Sequence, residues 1–434
     1  GGGGGERRRG RHDDGSRPAQ LRHEGGRITV TRLVQKYGGS SVATPMKLRR
    51  VARRIRESVD AGSQVVVVVS AMGDTTDELI ALAHRVTADP PSREMDMLLS
   101  SGETITAPLL AMALHAGGTP AISLTGAQAG IRTSRAHRIA RIVDIVPQRV
   151  LDELERGNVV VVAGFQGATE DMDVTTLGRG GSDTTAVALA VAIRADHCEI
   201  FTDVSGVHTA DPRIVPNARV IASIDYDEML ELASAGARVM HPRAVEIGEA
   251  YSMEIRVRST FDNEPGTIIA KQTRMEIRQK VRAIAHETDV AKVTILRVPD
   301  KPGVAASIFG PFGDAGIDID IVLQNVSHDG TTDLSFTIAE SHLPKARRML
   351  ASVAKKVQAQ GYTATGRIAK VTVIGSGLRG TPGVYAKIFQ ALADSGINIQ
   401  MIATSEIAVT CIIDRPRVRD AVRALHAAFE LERI

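Results

Sequence analysis

Lys36-Tyr37-Gly38-Gly39-Ser40-Ser41 places a primary amine just ahead of a glycine pair. Glycines let the backbone approach a phosphate closely, and the amides that follow can point at it. A lysine there can neutralise charge on a phosphoryl group in transit. The spacing is not that of a G-x-x-x-x-G-K-[ST] phosphate loop, and alone it also suits an ordinary turn. Leu177–Thr185 carries a second pattern, in which Gly178, Gly180 and Gly181 surround Arg179, and Ser182 and Asp183 follow. A glycine-rich helix start is an anion site. Arg179 can hold a carboxylate through two parallel hydrogen bonds, and Asp183 can receive an ammonium group. A site with both poles suits an amino acid; the bland reading is a tight loop with a capped helix.

Other segments carry weaker signals. Ser70-Ala71-Met72-Gly73-Asp74-Thr75-Thr76 offers hydroxyls to a polar substrate, or Ser70 and Thr76 merely cap the next helix. Ser101-Gly102-Glu103 puts a carboxylate at an expected helix interruption, where a solvated glutamate is the alternative. Thr202-Asp203 ends a strand, and Val207-His208-Thr209-Ala210-Asp211-Pro212-Arg213 follows. An aspartate at a strand end with a downstream arginine suits adenosine and phosphates. His208 reads as a surface or packing histidine rather than a general base. Gly375–Gly380 matches G-x-G-x-x-G, but too little chain follows it for a dinucleotide-binding domain.

These segments need a scaffold that brings them to one edge. Strands are expected at Arg32–Lys36, Gln64–Ser70, Thr119–Leu124, Asn158–Ala163, His197–Asp203 and Glu254–Ser259. The valine run inside Gln64–Ser70 suits a strand buried on both faces. Helices are expected at Thr44–Ala61, with Thr44 as cap and Pro45 in the first turn, and at Glu78–Val86, Met95–Ala116, Ser182–Ala195, Tyr226–Ser234 and Arg243–Tyr251. Gly102 and Pro108 should break or bend the third of these. The alternation predicts an αβα sandwich with a mainly parallel sheet. Its ligands would bind beyond the C-terminal ends of the strands, where the motifs lie.

The C-terminal part repeats itself. Lys292-Val-Thr-Ile-Leu matches Lys370-Val-Thr-Val-Ile, and Pro302–Phe309 matches Pro382–Phe389. Gly303 and Gly316, like Gly383 and Gly396, stand 13 residues apart. Each copy reads as a ferredoxin-like β-α-β-β-α-β unit. The second copy lacks its last strand, which Val281–His286 can lend. The expected divisions are a disordered Gly/Arg-rich tail at 1–29, a catalytic domain at 30–271, and repeat units at 280–365 and 366–434.

Composition narrows the partners. Hydrophobic residues make up 43% and charged residues 24% of the 434, which is ordinary for a globular chain. The net charge of +3 can come from the first 27 residues alone, so no basic face for nucleic acid is implied. No apolar run approaches the roughly 20 residues that span a bilayer. Cys198 and Cys411 are too few for a disulfide framework or metal cluster and fit a reducing cytoplasm.

Lys36–Ser41, Ser70–Thr76, Ser101–Glu103, Gly178–Thr185, Phe201–Arg213 and Arg256–Ser259, in this order, resemble the aspartate kinases of the amino acid kinase superfamily. The repeat resembles that family's two ACT domains. The resemblance implies that Lys36, Tyr37, Gly38 and Gly39 contact the phosphates of ATP, which enters with Mg²⁺. Thr202, Asp203, Val207, His208, Thr209, Ala210, Asp211, Pro212, Arg213 and Arg238 would complete the nucleotide site. Lys36, Arg179 and Asp203 would be the catalytic residues, with no protein-held metal. Arg179, Gly180, Gly181, Ser182, Asp183, Glu103, Ser70 and Thr76 would hold L-aspartate. Asp300, Lys301, Pro302, Gly303, Val304, Ala305, Gln324, Asn325, Asn398 and Ile399 would form sites for threonine or lysine as effectors. A homo-oligomer joined through ACT domains follows, with a shorter subunit from an internal start such as Met275 as an option. The sequence departs from the common pattern at Arg238, Ser205, His208, Pro108 and Ala408. The rival readings are a glutamate or acetylglutamate kinase and an inactive sensing subunit. An acylated amine would not need both Glu103 and Asp183.

Overall fold

The computed structural model describes residues 23–24, 27–28, 30–237, 239–272, 280–326, 330–378 and 380–433. Arg238 and Met275 lie outside the described residues, as do most of the tail and the side chain of Asn325. Within the tail, His23–Glu24 pairs antiparallel with Arg27–Ile28.

An eight-stranded sheet forms the centre of the N-terminal part. Its order is Ser223–Ile224, Thr267–Ile269, Ile255–Ser259, His197–Thr202, Arg32–Tyr37, Gln64–Val69, Val159–Ala163, Ala121–Leu124. All neighbours are parallel except Ile255–Ser259 against Thr267–Ile269. The valine run is buried on both faces, Val65 to Val69 each being at most 1% exposed. Each such side chain stabilises the fold by about 1.5–3 kcal/mol over an exposed one. One face is covered by Pro45–Asp60 and Ser92–Ala116, the other by Gln148–Glu155, Gly181–Ala192, Tyr226–Ser234 and Pro242–Ala250. Thr44 caps Pro45–Asp60 by accepting from the Lys47 amide, as its place before Pro45 predicts.

Neither Gly102 nor Pro108 breaks the helix. Ser92–Ala116 is one 25-residue helix with Pro108 inside it. A proline deletes one backbone hydrogen bond, and a long helix anchored by buried Leu99, Leu110 and Leu114 can bear that loss. Gly102 serves packing, since a Cβ there would lie 2.7 Å from that of Ala71. By length and hydropathy this helix could also cross a bilayer, but half of the apolar window is buried in the protein and it carries buried Asp96 and Glu103. Four short strands, Val174–Thr176, Gln166–Ala168, Ile131–Thr133 and Ile142–Ile145, form a second sheet. Strands this short carry too few alternations to be read from sequence.

The C-terminal part is one six-stranded sheet, ordered Val322–Val326, Thr331–Ile338, Ala283–Pro299, Gly361–Ile374, Ala408–Asp414, Met401–Thr404. Ala283–Glu287 pairs with Lys370–Ile374 of the second copy, while Lys292–Leu296 pairs with Gly361–Thr365. The first unit thus closes with its own last strand, and the second takes the missing strand from the segment ahead of the first, as expected for Val281–His286. The matched helices Val304–Asp314 and Val384–Asp394 both start after a left-handed glycine, Gly303 at φ 90° and Gly383 at φ 87°. Buried Lys370 ties the units by pairing with Asp320 at 2.6 Å and Glu287 at 2.9 Å. The Gly375–Gly380 loop docks onto the N-terminal part, because Ser376 donates its amide and hydroxyl to Glu228 at 2.9 and 2.8 Å.

Candidate active site

Parallel register brings the motif loops together. Tyr37 stands opposite Phe201 and Val69, so Gly38–Gly39, Thr202–Asp203 and Ser70–Ala71 leave the sheet side by side. Lys36 sits at the strand's last turn outward, and its Nζ lies 2.6 Å from Asp183 Oδ1. Only 12% of the lysine side chain and 10% of the aspartate side chain are exposed. Lys36 Nζ also lies 3.5 Å from where a Gly38 Cβ would stand. The amine is therefore held between the Gly38–Gly39 loop and the first turn of Gly181–Ala192. The Tyr37 side chain faces the core rather than the cleft. Its side chain is fully buried and stacks on Phe201 with ring centroids 4.8 Å apart, because alternate strand residues face the core.

Among the residues expected to hold the amino acid, Glu103 is buried and accepts from the Ala71 amide at 3.0 Å through Oε1. Its Oε2 has no hydrogen-bond partner among the described residues. Burial pushes the Glu103 carboxyl up to about 7, against the opposing pull of the Ala71 amide. Ser70 and Thr76 do not cap the following helix, since Thr75–Val86 has no side-chain cap. Both are half-buried beside the same loop. Ser182 and Asp183 are buried in the first turn of their helix, while Arg179 and Gly180 are exposed. Arg179 has no ion-pair partner among the described residues, which leaves its guanidinium open to an anion.

Beside the segments expected to hold a nucleotide, a cavity of about 540 Å³ is lined by Thr202, Asp203, Val207, His208, Ala210, Asp211, Pro212 and Arg213. Gly236, Ala237 and Val239 add a second wall. Ile284 to Thr288, from the first strand of the C-terminal sheet, add a third. No local signal in the sequence assigns that third wall. Thr209 departs from its expected role: it is fully buried and its hydroxyl bonds His426 Nε2 at 3.0 Å. Burial raises the Asp211 carboxyl, but hydrogen bonds from the Arg213 guanidinium and amide outweigh it and hold the group below its usual range. Burial also lowers the His208 imidazole, whose Nδ1 contacts the Gly206 carbonyl at 3.0 Å. A largely neutral packing histidine fits the sequence reading.

Among the described residues no group of three His, Cys, Asp or Glu side chains could hold a metal ion. The positions expected to take effectors are spread over the C-terminal sheet. Asp300 to Gly303 and Ala305 are exposed ahead of and within the first turn of their helix. Gln324 lies in one edge strand, and Asn398 and Ile399 directly precede the other.

The family model for the amino acid kinase family matches residues 31–259. Models for ACT domains match residues 292–354 and 371–429. An aspartokinase of Mycolicibacterium smegmatis is 50% identical over 405 residues, covering 92% of this chain and 96% of that protein. An aspartate kinase of Pseudomonas fluorescens is 47% identical, covering 92% and 98%. Among solved structures, E. coli aspartokinase III in complex with aspartate and ADP matches with TM-score 0.78 and 25% identity, over 91% of this chain and 99% of that one. The same enzyme in complex with lysine and aspartate matches with TM-score 0.71, over 92% and 99%.

Proposed function

We infer the reaction from one premise: this chain belongs to the amino acid kinase family and, within it, to the aspartokinases. It is an aspartate kinase, a phosphotransferase with a carboxyl group as acceptor, and it carries regulatory ACT domains. The finer proposal is in-line transfer of the γ-phosphoryl group of MgATP to the β-carboxylate of L-aspartate, giving 4-phospho-L-aspartate. The nucleophile has an ordinary pKa of about 3.9 and is ionised at neutral pH, so no general base is required. The protein's task is to bring two anions together and offset their repulsion.

The observation that carries this reading is the 2.6 Å contact between Lys36 and Asp183. It joins the glycine loop suited to phosphate with the helix start suited to the amino acid. Lys36 would meet the migrating phosphoryl group, with Asp183 orienting the amine. Arg179 would grip the α-carboxylate, and the open oxygen of Glu103 would receive the α-ammonium. Asp203, Thr202 and Arg213 would face the nucleotide. ATP-dependent hydroxamate formation tests the reaction: L-aspartate should give product, and glutamate and N-acetylglutamate should give little. Equal turnover of glutamate would overturn the assignment.

For regulation, threonine and lysine are proposed as effectors, bound where the loop Asp300–Ala305 and Gln324 of one unit meet Asn398 and Ile399 of another. The edge strands Val322–Val326 and Met401–Thr404 are open to pairing, with Val322 45% and Ile402 40% exposed. A homo-oligomer joined through these edges fits that exposure. The reaction would open the cytoplasmic route to lysine, threonine and methionine, in keeping with two buried free thiols. Inhibition assays with threonine and lysine, alone and together, test the regulatory part; indifference to both would count against these effectors.

A further inference from the structure

Arg179 can act only if its loop is held in place, and Gly178 and Gly180 on either side of it are left-handed at φ 80° and 70°. The stem of the loop is fixed from two directions. Asp96, fully buried in Ser92–Ala116, accepts from Thr176 Oγ1 at 2.6 Å and from the Arg138 amide at 3.0 Å, and it contacts His137 Nδ1 at 2.8 Å. From the opposite side, Arg243 donates Nη1 to the Leu177 carbonyl at 2.8 Å and Nη2 to the Ala140 carbonyl at 3.1 Å. Arg243 has no carboxylate ion-pair partner among the described residues. Burial, and then the nearby Arg141 charge, hold its guanidinium below the usual range. A position that disfavours a cation, yet carries a fork spanning two carbonyls, is chosen for geometry rather than for ion pairing.

The far end of the loop rests on the neighbouring residue of the same segment. His241 Nδ1 accepts from the Arg243 amide at 3.3 Å, which leaves the proton of the neutral ring on Nε2. Its ring lies so close to Gly180 that an added Cβ would stand 2.3 Å from it. The segment Val239–Arg243 therefore runs from the wall of the nucleotide cavity, at Val239, to both ends of the Arg179 loop.

We propose that Arg243 is a positioning residue for amino-acid binding: with the His241 ring, it sets the loop from which Arg179 meets the α-carboxylate of the substrate. The inference rests on the proposed role of Arg179. Arg243→Met should raise KM for aspartate roughly tenfold, while KM for ATP stays within about twofold. Arg243→Lys can reach one carbonyl but not both and should fall between. A parallel rise in both KM values, or an unchanged KM for aspartate, would overturn the proposal.

Should Arg243→Met fail to fold, Gly180→Ala reads the same clamp from its other end. That variant alone should raise KM for aspartate, and adding His241→Gly, which removes both the ring and the His241 Cβ that would stand 2.5 Å from the new one, should recover part of the loss, the left-handed φ of 70° at position 180 accounting for the rest. Additive losses in the double variant would overturn the clamp. Failure of the unsubstituted enzyme to phosphorylate aspartate would instead remove the reaction on which the proposal rests.

Discussion

The two halves of the cleft are built differently. The half proposed for the amino acid consists of buried and half-buried polar groups, each braced by a neighbour: Lys36 on Asp183, Glu103 on the Ala71 amide, Arg243 on two carbonyls. The half proposed for the nucleotide is a roomy cavity, and its third wall, Ile284–Thr288, belongs to the regulatory sheet. Hydrogen bonds from Thr209 to His426 and from the Ile284 amide to the Thr209 carbonyl, at 3.0 and 2.8 Å, stitch the loop behind it to the same sheet. If the proposed roles hold, the braced half determines which acceptor is used, while the half shared with the C-terminal sheet lets the state of the ACT domains reach the catalytic domain. A ligand shifts such an equilibrium only by binding the two states unequally.

The sharpest way to break this comparison is at Lys36, where the two halves meet. Lys36→Ala should lower kcat by about a thousandfold, the scale for removing a group that offsets transition-state charge, with a much smaller change in aspartate affinity. Near-normal turnover would remove Lys36 from the chemistry. Next in size is the docking of the C-terminal sheet on the catalytic domain. Glu228 is buried, receives both Ser376 bonds and faces Arg282 at 3.7 Å. Glu228→Ala should cost about 1–3 kcal/mol of stability, measured by denaturant unfolding, and should weaken feedback inhibition by any effector the parent enzyme responds to.

A smaller effect tests the braced half through pH. With its carboxyl raised to about 7, Glu103 is increasingly protonated in the free enzyme as pH falls below that value. An ammonium needs the ionised form, so KM for aspartate should rise as pH falls below about 7 and level off above it. The limit is roughly tenfold per pH unit. Glu103→Gln should raise KM for aspartate and flatten this profile; a profile unchanged by the substitution would assign the titration to another group. The smallest effect is expected at the stitch. His426→Ala should change KM for ATP about threefold, a loss of about the net worth of one hydrogen bond, and leave KM for aspartate in place. An equal change in both would mean that the halves are not separate.

Much of the fold was legible. The valine run, the Thr44–Pro45 helix start and the matched Pro-Gly-Val repeats each carry local physics that survives any tertiary setting: burial on both faces, a preset φ, a left-handed turn. Local rules misled where packing overrode them, as at Pro108, which a long anchored helix absorbs. The motif loops were legible as glycine-flanked charges, although their roles remain proposals. Arg243, His241 and Asp96 carried no such signal. Each contacts the Arg179 stem through partners tens of residues away in the chain, and an arginine bonded to two carbonyls looks in sequence like any solvated arginine.

By itself, then, the chain's order of residues determined which loops carry charge and glycine, and that a parallel sheet would present them at one edge. Only the tertiary structure decided that Lys36 would touch Asp183, that Glu103 would be desolvated, and that the regulatory sheet would wall the nucleotide cavity. The physical reason is range. Backbone preference and hydrophobic period act over a few neighbouring residues, whereas desolvation and ion pairing depend on what the completed fold brings within a few ångströms.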